Sequence, residues 1–91
     1  MTPGARISAA IEIATEIDDG AAASDSIVDV YFRHRRYAGS KDRRAVTERV
    51  YGLIRRHARL NWWIDRSGST LPPNARLRAI ADLALNDKSR P

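Results

Sequence analysis

Wherever apolar residues cluster in this chain they return every three or four positions, the period of an amphipathic α-helix. Thr2-Pro3 reads as an N-cap followed by proline at the first helical position. Ile7, Ala10, Ile11, Ala14 and Ile17 then make one stripe, which Gly20 ends, with Asp18 and Asp19 at the unfavourable end of the helix dipole. A second helix is predicted from Ser24 or Ser26 to about Arg36, burying Ile27, Val28, Tyr31 and Phe32, although its β-branched residues lend it some strand character. Tyr37-Ala38-Gly39 is a turn, and Ser40 caps the longest helix, which starts at Lys41 or Asp42. Val46, Val50, Leu53, Ile54 and His57 form its core stripe. After a bend, a short helix around 61–66 turns Leu60, Trp63 and Ile64 inward. Ser67-Gly68-Ser69 breaks it, Leu71-Pro72-Pro73 is extended, and Asn74 caps a last helix with Leu77, Ile80, Ala81 and Ala84 at helical spacing. The fold class is therefore all-α, a bundle of about five helices in a single domain spanning 1–91, ordered over about 3–85 with a polar tail at 86–91.

A chain of 91 residues has room for one small domain with a modest core. The absence of cysteine removes disulfides, thiolate metal sites and any thiol nucleophile. His34 and His57 are too far apart in sequence to suggest a zinc site. No apolar run is long enough for a membrane span, and Glu12, Glu16, Asp18 and Asp19 are the wrong chemistry for a secretory leader. A cytoplasmic location follows as the expectation. No glycine-rich phosphate loop, nucleophile elbow or metal-ligand spacing is present, so no catalytic residue, metal or cofactor is assigned to this chain. Glu12 and Glu16 share a helix face and read as solvated surface.

The net charge of +5 conceals an asymmetry. Residues 1–32 hold one Arg against six acids, whereas residues 33–66 hold eleven Lys/Arg against Asp42, Glu48 and Asp65. So basic a middle third, with fourteen Arg to two Lys in the whole chain, is the electrostatic footprint of a polyanion binder, because the guanidinium fork matches phosphate. Some of these arginines are expected to pair the acids of the first segment instead. Along the 42–59 helix, Arg44, Arg55 and Arg59 fall opposite Val46 and Val50, and Glu48 can pair Arg44 one turn away. Trp62 and Trp63 point roughly 100° apart on a helix. Trp63 is therefore assigned to the core and Trp62 to the rim, where a base or a protein partner could meet it.

The stretch Arg36-Tyr37-Ala38-Gly39-Ser40-Lys41-Asp42-Arg43-Arg44-Ala45-Val46, followed by Glu48-Arg49-Val50-Tyr51-Gly52-Leu53-Ile54-Arg55-Arg56, resembles the N-terminal NusB-like domain of bacterial RNA cytosine-C5 methyltransferases, the Sun/Fmu/RsmB group. Pro3-Gly4-Ala5-Arg6-Ile7 and Leu60-Asn61-Trp62-Trp63-Ile64 fit the same pattern. The resemblance implies a NusB-like helical bundle, here short of the family's full helix set. It implies RNA binding by the basic module, and a separate C-terminal S-adenosylmethionine-dependent domain on the same polypeptide that supplies the cysteine nucleophile. This chain would then be the non-catalytic RNA-binding accessory domain of a ribosomal RNA methyltransferase. RNA contacts are expected at Arg33, Arg35, Arg36, Lys41, Arg43 and Arg44, with Arg55, Arg56 and Arg59 as a second group, while Asp42 caps or orients its helix. Two other readings stand beside it: a structural module docking on a catalytic domain, and a stand-alone NusB-type antitermination factor.

Overall fold

The computed structural model describes residues 1–20, 22–68 and 70–86. Among them are five α-helices and no strand: α1 (Pro3–Asp18), α2 (Ser24–Arg33), α3 (Ser40–Arg55), α4 (His57–Arg66) and α5 (Ala75–Asn86). None is long and apolar enough to cross a membrane. Asn86 closes α5 instead of opening a tail, and 87–91 lie outside the described residues, as does Ser69 of the expected Ser67-Gly68-Ser69 break.

Each boundary has a local cause. The Thr2 hydroxyl accepts from the Ala5 N–H at 3.0 Å, with Pro3 opening α1, and Gly20 leaves it at φ +72°. α2 stops at Arg33, short of the expected Arg36. Arg35 closes it by donating its N–H to the Phe32 carbonyl and a guanidinium N–H to the Tyr31 carbonyl, 3.1 and 3.3 Å away. α3 starts at Ser40 with Gly39, not Ser40, as the N-cap. Asn74 caps α5 through its side-chain oxygen, which accepts from the Leu77 N–H at 2.8 Å.

α1 is the centre of the bundle, packed by α2, α3 and α5. Its buried face is Ala9, Ala10, Ile13 and Ala14, which corrects the predicted stripe: Ile7, Ile11 and Ile17 are only half-buried at its edges. A helix apolar on most sides has no single stripe to read. Ala9, Ala10 and Ile13 pack with Ile27, Val28, Tyr31 and Phe32 of α2 and with Val46 and Val50 of α3. The second cluster is thinner, made of Ala14, Leu53, Leu60, Ala75 and Ala79.

Beyond Leu53 the predicted α3 stripe fails, because α3 ends at Arg55 and the chain bends at Arg56 (φ −101°, ψ 13°). Ile54 and His57 are exposed, while Leu60 and Ile64 resume burial on the new axis of α4. Trp63 is 42% exposed, not core. On α5 the buried residues are Ala75, Arg78, Ala79 and Asp82, whereas Ile80 and Ala84 of the apolar set face out.

Ion pairs supply what the thin second cluster lacks. Asp82, 4% exposed, receives Arg56 through two bonds, Nε to Oδ1 at 2.7 Å and Nη2 to Oδ2 at 3.0 Å. Arg78, 5% exposed, donates to Asp18 of α1 and to Asn61 Oδ1 of α4 at 3.1 Å. The Arg78 guanidinium thus compensates a carboxylate at the unfavourable end of α1. Buried Gly52 makes the Arg56 clamp possible: a Cβ there would stand 2.5 Å from Arg56 Nη2. Alanine exceeds glycine by up to about 1 kcal/mol in a helix interior. Gly52→Ala should nonetheless lower stability by about 1–3 kcal/mol, since displacing Arg56 breaks both of its hydrogen bonds to buried Asp82. Urea unfolding measures the difference, and an unchanged or raised midpoint would show that Arg56 keeps Asp82 by another route.

Candidate nucleic-acid interface

The junction between α2 and α3 gathers the basic residues, and one carboxylate organises it. Asp42, on the first turn of α3, is 9% exposed. Its oxygens accept from Arg6 Nε at 2.9 Å, from the Met1 ammonium at 3.2 Å and from the Gly39 N–H at 3.2 Å. The last bond satisfies an open amide where α3 begins. Asp42 therefore orients the helix start, and it also ties the beginning of α1 to α3. The Arg6 guanidinium, aided by the Met1 ammonium and the Gly39 amide, holds its carboxyl below the usual carboxylate range.

Around this anchor the basic side chains singled out from the sequence divide in two. Three are engaged within the fold. Arg35 lies 3.7 Å from Glu12 and stacks 3.8 Å from the centre of the Tyr31 ring. Arg43 pairs Asp29 of α2, with its guanidinium 5.6 Å from the Phe32 ring centre. Arg56 grips Asp82. Glu12 and Asp29 belong to the acidic first segment, so part of the charge asymmetry cancels inside the bundle. Arg33, Arg36, Lys41, Arg44, Arg55 and Arg59 are exposed, and among the described residues none forms an ion pair with a carboxylate. Glu48 does not hold Arg44.

The free cations are not all together. Arg33 ends α2, Arg36 sits in the turn, and Lys41 and Arg44 open α3, so these four surround the junction. Arg55 shares the outward side of α3 with Arg44 but stands about 16 Å further along its axis. Arg59 lies past the bend, on α4. Trp62, 51% exposed, is also on α4, with the Arg66 guanidinium 4.7 Å from its ring centre and Trp63 against it edge-on. One face of its ring is therefore already covered.

Glu12 is exposed, as its sequence position suggests, and it also accepts from the Tyr31 hydroxyl at 2.8 Å, joining α1 to α2 beside Arg35. Burial, followed by that bond to a carboxylate, pushes the Tyr31 phenol up to about 12. The i to i+4 spacing of Tyr31 and Arg35 was the available signal, but the partner on α1 had none. Among the described residues no group of three His, Asp or Glu side chains could hold a metal ion. Compared with known proteins, the chain matches no family model, no curated protein and no solved structure.

The depressed Asp42 carboxyl sets a pH dependence. A carboxyl that ionises more readily folded than unfolded stabilises the fold above the usual carboxylate range, and that contribution is lost as pH falls through its lowered value. Asp42→Asn should lower Tm at neutral pH, and the gap to the parent should close as pH is taken below about 4. Thermal melts across that range check it, and a gap independent of pH would assign the effect to packing. The Tyr31 phenol makes the opposite case at high pH. In a spectrophotometric tyrosinate titration one step should fall near pH 12 and disappear in Tyr31→Phe. Persistence of that step in the variant would give it to another tyrosine.

Proposed function

We propose that this chain is an RNA-binding module that grips the phosphate backbone at the α2–α3 junction. The observation that carries the reading is the set of exposed, unpaired Arg33, Arg36, Lys41 and Arg44 around one rigidly anchored turn. A guanidinium already committed to a carboxylate must surrender that partner before it can meet a phosphate, whereas these four have none to surrender. The spacing suits charge recognition more than base reading, because no single helix presents a row of base-reading side chains and the one aromatic ring exposed in the turn, Tyr37 at 73%, can stack a base without reading its edge.

The resemblance to the NusB-like domain of RNA cytosine-C5 methyltransferases supplies the finer reading. The RNA is then ribosomal, and the site of action is cytoplasmic. The module holds substrate for an S-adenosylmethionine-dependent catalytic domain on the same polypeptide. In that arrangement this chain contributes binding and orientation, and the cysteine and the methyl donor belong to the catalytic domain. Holding the RNA in register is a catalytic contribution in its own right, since orientation lowers the entropic part of the barrier.

Titration with an end-labelled ribosomal RNA fragment at several salt concentrations, followed by the anisotropy of the label, tests the reading. For every phosphate that a variant no longer neutralises, the slope of log affinity against log salt should fall by about 0.7–0.9. Arg33→Ala with Arg36→Ala should therefore weaken binding and flatten that slope by nearly twice this amount. Arg43→Ala, which removes a partner of Asp29, should leave the slope in place. An unchanged slope in the double variant, or no binding at low salt, overturns the assignment.

A further inference from the structure

α5 has two apolar faces, and the bundle uses one. Its inner face carries Ala75 and Ala79 together with the paired Arg78 and Asp82. Its outer face carries Ile80, 53% exposed, and Ala84, edged by half-buried Leu77 and by Ala81, which also packs on the second core cluster. Between this face and Trp63 of α4 runs a groove of about 270 Å³ that has no charged residue in its lining. A solvent-facing helix surface ordinarily bears charges, and these turns of α5 bear none there. Trp63, Ile80 and Ala84 are all exposed, so no further layer of the described residues covers the groove.

The rims differ from the floor. Arg59 and Arg66 stand four residues before and three after Trp63, which places both on the edge of α4 that carries it. Arg76 stands four residues before Ile80 and marks the facing edge of α5. All three are exposed, and none is in an ion pair among the described residues; the Arg66 guanidinium rests 4.7 Å from the Trp62 ring centre, so Arg59 and Arg76 are the cations with no such contact. Asp65, the nearest acid in sequence on α4, is turned about 200° from Trp63. The small side chains of Ala81 and Ala84 leave room for a close backbone approach.

We infer that this groove docks an amphipathic helix of a partner protein, one whose apolar stripe is flanked by glutamate or aspartate. The floor buries the stripe and the arginines of both rims meet the acidic flanks, the helix-in-groove mode of recognition. A second copy of this chain is a poorer occupant, because a two-fold contact would set Arg59, Arg66 and Arg76 against the same residues. RNA is poorer still, since an apolar floor offers nothing to a phosphate or a base edge. The inference stands apart from the RNA reading, as the free cations of the α2–α3 junction lie at the other end of α3.

The whole chain, isotopically labelled at its methyl groups, should be titrated with a synthetic helical peptide bearing leucine at helical spacing and glutamate on both flanks. The same peptide with lysine in place of glutamate serves as comparison. The glutamate peptide should shift the Leu77, Ile80 and Ala84 methyl resonances saturably, and the lysine peptide should bind at least about tenfold more weakly. Ala84→Glu, a change at an exposed site, should keep the parent's circular dichroism and Tm while weakening the glutamate peptide by about tenfold or more. Equal binding of the two peptides, shifts centred elsewhere, or no saturable binding would overturn the inference. So would self-association, or an RNA oligonucleotide, that perturbed the same methyl groups.

Discussion

Three helices approach α1 at once because its inward positions are small. Ala9, Ala10 and Ala14 let the backbones of α2, α3 and α5 come close, and Ile13 alone fills the remaining depth. A larger residue at any of those alanines would push one neighbour away, and overpacking of this kind typically costs about 1–3 kcal/mol. The price of small residues is little apolar area, which explains the unequal halves of the core. Where α2 contributes Ile27, Val28, Tyr31 and Phe32, hydrophobic burial suffices. Where α5 contributes Ala75 and Ala79, with Ala81 and Leu85 at the edge, paired charges complete the attachment.

Those charges are an unusual choice. A buried ion pair is seldom more stabilising than an apolar replacement, yet removing one partner is costly. Asp82 with Arg56, and Arg78 with Asp18 and Asn61, therefore specify how α5 lies more than how tightly it holds. Arg56 can meet Asp82 from only one rotation of α5, and that rotation sends Ile80 and Ala84 outward. The apolar outer face of α5 is in this sense a result of charge placement. Asp42 acts comparably at the opposite end, fixing the turn from which the free arginines project.

What could be read from the sequence follows the same physics. The buried face of α2 was fully legible, since Ile27, Val28, Tyr31 and Phe32 are its clean apolar stripe. So were the caps at Thr2 and Asn74 and the orienting role of Asp42, because capping is local chemistry. On α1 the reading found Ala10 and Ala14 but added Ile7, Ile11 and Ile17 and missed Ala9 and Ile13, as a helix touched on several sides does not declare a face. On α5 the apolar periodicity was real but pointed outward, and only the tertiary partners of Arg78 and Asp82 reveal the inner face. His57 was misplaced because the expected bend falls at Arg56, several residues earlier than read, and Trp63 because α4 buries only the narrower Leu60–Ile64 edge of its apolar face. Within the basic cluster, residue type was legible but engagement was not: Arg35 and Arg36 are neighbours in sequence, yet only Arg35 has Glu12 and Tyr31 to hold it.

Arg56 is both the residue where the helix axis changes direction and the residue that grips α5. Its backbone sets the angle between α3 and α4, while its guanidinium, lying over Gly52, sets the position of Asp82. Straightening the bend would withdraw the side chain, and detaching α5 would leave that side chain without the carboxylate that seats it. In the language of native-state hydrogen exchange, that shared residue should couple the opening of α4 to the opening of α5, so that replacing Arg56 lowers the protection of both.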